Sequence, residues 1–152
     1  FIKLVDIEAA VLKYLQGLDI DPQIHLGAGP CLDQVKWSEG VFTYKKSADK
    51  NTRVAVSEAF AAVAETGTLV MCSGSDLLPS HNFLPDDHIV IVDCDRIVRY
   101  QEDVWPLLRT GDHFPQRAIN LITGPSKTGD IEQTIQYGAH GPRRLHVLIV
   151  KD

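Results

Sequence analysis

The sequence contains few cysteines, and none of them forms a recognised pair. Its three cysteines, Cys31, Cys72 and Cys94, lie far apart and include no C-x-x-C motif. This spacing gives no basis for a zinc finger or for an iron–sulfur cluster held by this chain. An odd number of cysteines without a visible secretion signal is typical of the reducing cytoplasm, so we expect a cytoplasmic protein.

The sequence also lacks a surplus of positive charge and any long apolar run. Its 15 Lys and Arg against 20 Asp and Glu give a net charge of −5, which argues against non-specific binding to nucleic acid. No run approaches the roughly 18 apolar residues of a membrane span. The 152 residues suffice for one domain with a hydrophobic core. The chain begins with Phe1 rather than Met, so we expect that a further N-terminal portion precedes it.

Short apolar runs rich in Val and Ile alternate with segments of helical character. The pattern predicts strands at residues 1–5, 23–26, 69–72, 88–93, 118–123 and 145–150, helices at 6–18, 57–65, 101–109 and 128–137, and a turn region at 111–116. Strands of this kind are typical of a parallel sheet that is buried on both faces. We therefore predict an α/β protein, a Rossmann-like three-layer domain with a mostly parallel sheet of five or six strands. In such sheets the ligand site lies beyond the carboxyl ends of the strands.

The stretch ITGPSKTGDIEQTI, residues 122–135, combines a strand end, a tight polar loop at Gly124 and a predicted helix start. That combination can hold an anion. It is not a P-loop, because Ser126 and Leu121 occupy the two positions where G-x-x-x-x-G-K-[ST] requires glycine.

Two interpretations of this stretch remain open. Ser126 or Thr128 can cap a helix whose first turn carries Asp130 and Glu132, which complement the helix dipole. Alternatively, the loop contacts a ligand or a partner, although those two acids would oppose an anion there.

The segment from Ala64 to Thr68 offers a second polar turn. Gly67 permits a sharp turn into the following strand, with a positive φ angle. The hydroxyls of Thr66 and Thr68 can form hydrogen bonds to a ligand or only within the turn itself. Glu65 immediately precedes them.

Among the histidines, His81, His88 and His140 are the candidates for chemistry. His81 and His88 are separated by a proline-bearing loop at a spacing that is not standard for a metal site, so we expect none. His140 lies between glycines and can transfer protons or cap a turn. Arg143 and Arg144 form a compact basic spot that can bind an anion or a partner carboxylate.

Four motifs together resemble the LUD-domain family, in its lactate utilisation protein C group. They are VSEAFAAVAETGTLVM, NFLPDDHIVIV, ITGPSKTGDIEQTI and YGAHGPRRLHVLIV, which occur in this order between Val54 and Val150. Residues 1–53 match only loosely, and Gly129 stands where the family usually has Ala. The family's motif positions fall on Thr66, Gly67, Thr68, Leu84, Pro85, His88, Gly124, Pro125, Ser126, Asp130, Glu132, His140, Gly141 and Pro142.

The resemblance implies a fold like that of the sugar-phosphate isomerases and CoA transferases, the NagB/RpiA/CoA-transferase-like fold. It also implies that residues 1–152 form a single domain that lacks its N-terminal portion. For function, it implies bacterial oxidation of L-lactate to pyruvate beside two partner proteins, at least one of which carries iron–sulfur clusters. Since this chain shows no motif for a cluster, a nicotinamide or a flavin, we expect no cofactor on it and iron–sulfur clusters on the partners.

Our leading hypothesis is an accessory or substrate-handling subunit that binds a small carboxylate. Its candidate ligand-binding residues are Thr66, Gly67, Thr68, Gly124, Ser126, Thr128 and Asp130. Candidate proton carriers are His88 and His140. One rival is a stand-alone isomerase or acyl-transferase acting on a small anion, with Glu65 as the catalytic nucleophile. The other is a non-catalytic interaction or regulatory module.

Overall fold

The computed structural model describes residues 1–74, 78–110, 116–131 and 134–151. The helices are α1 (Ile7–Gly17) and α2 (Val104–Thr110). The strands are β1 (Gln23–Leu26), β2 (Phe42–Tyr44), β3 (Val54–Glu58), β4 (Ala61–Val63), β5 (Thr68–Cys72), β6 (Asp87–Asp93), β7 (Ile97–Val98), β8 (Ile119–Ile122), β9 (Lys127–Ile131), β10 (Thr134–Tyr137) and β11 (Arg144–Val150). No helix among the described residues is both long enough and apolar enough to span a bilayer.

The main sheet has five parallel strands in the order β11-β6-β3-β1-β2. Strand β6, the second in this order, is an apolar run of the kind that the sequence predicts to be buried on both faces, and its residues 87–92 are buried. This arrangement confirms the predicted α/β class and the mostly parallel sheet.

The two faces of this sheet contribute to different cores, because successive side chains of a strand point to opposite sides. One face packs against α1, whose buried residues recur at i, i+4 spacing. The cluster includes Ile7, Val11, Leu15, Val54, Val56, Ile89 and Ile91. The other face packs against a second sheet through Val90, Val92, Leu69 and Met71.

The second sheet has the order β7-β4-β5-β8 and is mixed, with antiparallel β4–β5 and β5–β8 pairs. Its outer face is covered by α2 through Val104 and Leu108. The molecule is therefore layered as helix, parallel sheet, mixed sheet and helix.

The predicted helix at residues 57–65 is wrong. The structure places this segment at the end of β3 and in β4. Ala59 and Ala61 are buried, so their small side chains serve close packing between layers. Because the helix propensity of Ala is worth under about 1 kcal/mol per residue, tertiary packing overrides it.

The predicted helix at residues 128–137 is also wrong, since β9 and β10 pair as an antiparallel hairpin. Gly124 and Gly138 flank the hairpin with φ angles of 103° and 79°. Thr134 and Ile135 are β-branched, which favours strand over helix. Residues 132 and 133 lie outside the described part of the chain.

The predicted first strand at residues 1–5 is wrong as well. Ile2 makes a single parallel bridge to Val150, and Leu4–Asp6 form a 3-10 turn that leads into α1. The side chain of Asp6 makes no capping hydrogen bond. The predicted turn at 111–116 falls almost entirely on residues outside the description, from 111 to 115.

Candidate functional site

A chain of three hydroxyl groups joins the β4–β5 turn to the end of β8. Thr66 Oγ1 lies 2.6 Å from Thr68 Oγ1, which in turn lies 2.8 Å from Thr123 Oγ1. Thr68 is buried at the start of β5, whereas Thr66 and Thr123 are exposed. The turn is tight because Gly67 adopts the predicted positive φ angle, 67°, and its N–H donates to the Val63 carbonyl at 2.9 Å.

Ser126 holds two further loops together. Its N–H donates to the Pro142 carbonyl at 2.9 Å, and its own carbonyl accepts the N–H of Gly138 at 3.1 Å. Its hydroxyl oxygen accepts the backbone N–H of His140 at 3.2 Å. The motif residues after β8 and after β10 are therefore neighbours in space, as the sequence suggests.

We refer to residues 66–68, 123–126 and 138–142 together as the hydroxyl loops. The last of them leads into β11, where the N–H groups of Arg143 and Arg144 donate to the Asp86 carbonyl at 2.8 and 3.1 Å. Asp86 precedes β6, so this contact lies at the amino edge of the parallel sheet. The expected position beyond the carboxyl ends is therefore wrong for this loop.

The chemistry of the hydroxyl loops suits a small acceptor-rich ligand. A carboxylate accepts hydrogen bonds only, whereas each threonine or serine hydroxyl can donate one. Gly124, with its φ angle of 103°, is exposed beside Ser126. Arg143 is exposed at the end of the same loops and lies 3.9 Å from Asp86, a loose ion pair.

The predicted catalytic residues fall in three different environments. His140 is exposed within the hydroxyl loops. Glu65 is also exposed, next to Thr66, and its N–H donates to the Arg99 carbonyl at 3.2 Å. His88 is 1% exposed between the two sheets, and burial lowers the pKa of its imidazole to about 3.

Two of the predicted ligand-binding residues, Thr128 and Asp130, lie on β9, and their side chains are outside the part of the chain that the structure describes. Glu132 is outside it entirely.

The sequence reasoning missed Glu58, which ends β3 at the carboxyl edge of the parallel sheet. Its carboxylate accepts the N–H groups of Cys31 and Leu32 at 2.8 and 3.1 Å. Burial raises its pKa, those hydrogen bonds oppose the shift, and the nearby charge of Asp93 adds to it. A Cβ at Gly29 would collide with this carboxylate. The sequence feature that could have identified Glu58 is an acidic residue at the end of an apolar strand, near the Gly27–Pro30 loop.

A cavity of about 400 Å³ opens at the amino edge of the parallel sheet. Its lining includes Ile20, Gln23, His25, Tyr44 and Arg53. None of these residues belongs to the hydroxyl loops, and sequence reasoning gave no indication of the cavity.

The LUD domain family matches residues 8–150, nearly the whole chain. The chain belongs to the LUD domain family. This confirms the resemblance that the four sequence motifs carry.

Individual relatives are consistent with this family membership. Lactate utilization protein C of Bacillus subtilis (strain 168) is 34% identical over 118 residues, which are 75% of this chain and 48% of the relative. Lactate utilization protein C of an Exiguobacterium species is 33% identical over 103 residues, 65% of this chain and 44% of the relative. The chain thus spans about half the length of the curated relatives it matches.

A solved structure supports the fold. A protein of the DUF162 family from Deinococcus radiodurans superimposes with a TM-score of 0.69 at 20% sequence identity. The match covers 99% of this chain and 85% of that protein. The layered α/β architecture is therefore shared over essentially the full chain.

Proposed function

We propose that this LUD domain takes part in lactate utilisation, as the subunit that binds L-lactate or a similar small hydroxy acid at the hydroxyl loops. The observation that carries the proposal is the linked set of hydroxyls at Thr66, Thr68 and Thr123, joined through one short loop to Ser126. Relatives named Lactate utilization protein C support the choice of substrate.

Oxidation of lactate to pyruvate breaks one O–H and one C–H bond and forms the carbonyl, releasing two protons and two electrons. In our proposal the electrons pass to iron–sulfur clusters on partner proteins. The hydroxyls of Thr66 and Ser126 donate hydrogen bonds to the substrate carboxylate, with Thr68 orienting Thr66. This chain would then act as an accessory or substrate-handling subunit.

His140 is the proton carrier that the geometry favours for the substrate hydroxyl. Its ring is exposed, and its backbone N–H is fixed on the Ser126 hydroxyl at 3.2 Å. His88 is less suited, because its buried imidazole has a pKa of about 3 and no described hydrogen bond joins it to the hydroxyl loops. The remaining proton leaves to solvent.

The test is lactate-dependent dye reduction without oxygen, in the presence of the iron–sulfur partner proteins and with or without the full-length form of this chain. We expect reduction to require the chain. Thr68→Val combined with Ser126→Ala should lower kcat/KM for lactate about 10- to 100-fold, because it removes the Ser126 hydrogen bond to the charged carboxylate and leaves Thr66 without the partner that orients it.

Thr110→Val is the matched control, because in the described part of the chain the Thr110 hydroxyl bonds only the carbonyls of Pro106 and Leu107 within α2. Its kinetics should equal those of the wild type. Unchanged dye reduction without the chain would refute the subunit role. Full activity of the double variant would refute the binding site while leaving the subunit role intact.

A further inference from the structure

Three histidines lie near one another at the amino edge of the parallel sheet, on the face opposite α1. The strand register pairs His25 of β1 with Ala55 of β3, and Ala55 with His88 of β6. Paired residues on adjacent strands point to the same face, so His25 and His88 flank the small side chain of Ala55. Two strand spacings of about 4.8 Å separate their backbones, with only a methyl group between them.

His81 approaches from the 3-10 turn Pro79–Asn82. Its ring stands edge-on to that of His25, with centroids 6.1 Å apart. The turn is held against the preceding segment, because the N–H of Ala48 donates to the Ser80 hydroxyl at 3.0 Å. His81 also lies close enough to His88 to influence its charge.

The orientation of His81 defines which of its nitrogens is free to bind. Its Nε2 lies 2.9 Å from the Lys46 carbonyl. A carbonyl can only accept, so Nε2 carries the proton and Nδ1 keeps its lone pair. Metal-binding histidines almost always donate their second ring nitrogen to a carbonyl or a carboxylate in this way.

Four buried ring nitrogens in this cluster have no hydrogen-bond partner among the described residues. They are His25 Nδ1, His81 Nδ1 and both nitrogens of His88. His81 and His88 are each only 1% exposed. Leaving a buried polar group unsatisfied costs about 1–3 kcal/mol, so a bound group that contacts these nitrogens would stabilise the cluster.

We propose that His25, His81 and His88 form a binding site for one divalent transition-metal ion of the zinc type. Neutral imidazole is a preferred ligand for such ions, and three imidazoles leave a fourth position for water or a ligand. The site shares no residue with the hydroxyl loops, and the proposal does not depend on the lactate role.

Metal binding requires the three imidazoles to move closer together. Among the described residues, only Asp93, Cys94 and Asp95 already have three ligand atoms within 4.8 Å of one another. The imidazoles must therefore rotate about their side-chain bonds to converge on one ion. The cavity of about 400 Å³ that borders His25 provides access, and its lining includes Asp19 and Asp21, whose negative charges attract a cation.

The experiment titrates the metal-free full-length protein with Zn²⁺ by calorimetry and with Co²⁺ by visible absorption. We expect one tight site per chain and ligand-field bands typical of nitrogen ligands. His81→Gln and His88→Gln should each weaken Zn²⁺ binding at least about 100-fold, since each removes one direct ligand. His146→Gln is the matched control, because His146 lies on the α1 face and stacks on Tyr14 at 4.4 Å.

Circular dichroism establishes that each variant is folded. If either buried variant fails to fold, His25→Gln tests the proposal instead, because His25 is only half-buried and its substitution is expected to leave the protein folded. Absence of a tight Zn²⁺ site in the wild type overturns the proposal, as does full affinity in His25→Gln. Loss of the site in Cys94→Ser but not in the histidine variants also overturns it and assigns the ion to the Asp93–Cys94–Asp95 cluster instead.

Discussion

Arg144 donates hydrogen bonds to both carboxylate oxygens of Asp87, a side chain that is fully buried. The two residues face each other in register at the starts of β11 and β6. Tyr14 of α1 adds a third donor to the same carboxylate at 2.9 Å, and Arg53 lies 3.6 Å away. The carboxylate therefore ties α1 and two neighbouring strands together at the amino edge.

We expect Arg144→Met to lower the free energy of unfolding by about 3 kcal/mol, because it leaves a buried charge without its main partner. Arg143→Met is the matched control, since the Arg143 side chain is exposed and its ion pair with Asp86 is loose. That control should cost no more than about 1 kcal/mol. Urea denaturation measures both, and equal losses in the two variants would contradict the structural role of the Asp87 pair.

Gly67→Ala tests the turn that positions the hydroxyl chain. A Cβ at Gly67 meets no atom within 4 Å, so the cost comes only from its φ angle of 67°. We expect a loss of about 1–2 kcal/mol in the free energy of unfolding. Gly17→Ala, at the end of α1 with equally open space, should instead be neutral or stabilising. A neutral Gly67→Ala variant would show that the turn relaxes without difficulty.

The parallel sheet could be predicted because each of its main strands is recognisable from its own apolar sequence. The predicted strands at residues 88–93 and 145–150 contain the continuous apolar runs 89–92 and 147–150, and both form close to the predicted bounds. The helix at residues 57–65 was mispredicted because alanine favours a helix locally and also fits the narrow space between two sheets. Whether this segment forms a helix or a strand depends on its packing against distant parts of the chain, which its own sequence does not reveal.

The residues of the hydroxyl loops could be identified from sequence motifs, whereas the histidine cluster could not be predicted from the sequence. Glycine, threonine and serine near strand ends indicate polar turns, and Ser126 indeed contacts the loop around His140. His25 and His88 become neighbours only through the register of β1, β3 and β6. Register is set by the packing of whole strands, so sequence spacing between those histidines carries no information about their distance.

The Thr68→Val variant tests whether the hydroxyl chain contributes to the stability of the fold or to lactate turnover. Thr68 is the centre of the hydroxyl chain, but both of its partners, Thr66 and Thr123, are exposed and can bond water instead. The variant should therefore lose less than about 1 kcal/mol in the free energy of unfolding, while weakening lactate turnover. Thermal unfolding and the anaerobic assay measure the two effects. A large loss of stability would show that the hydroxyl chain serves the fold rather than a ligand.

Glu58→Gln should change how stability depends on pH. Burial raises the pKa of Glu58 in the folded protein above its ordinary value of 4.5, so the folded state holds this proton more tightly than the unfolded state does. The resulting stabilisation is complete below about pH 4.5 and is lost as pH rises through the folded pKa. Glutamine keeps an oxygen that can accept the N–H groups of Cys31 and Leu32, but it does not titrate.

The wild type should therefore gain stability relative to Glu58→Gln as pH falls from 7 to 4, and lose that advantage as pH rises. Urea denaturation at a series of pH values gives the difference curve. Glu65→Gln, at an exposed carboxyl, controls for the loss of one negative charge. A curve of the same shape in that control would assign the effect to net charge, and a curve of opposite slope for Glu58→Gln would mean that its hydrogen bonds outweigh its burial.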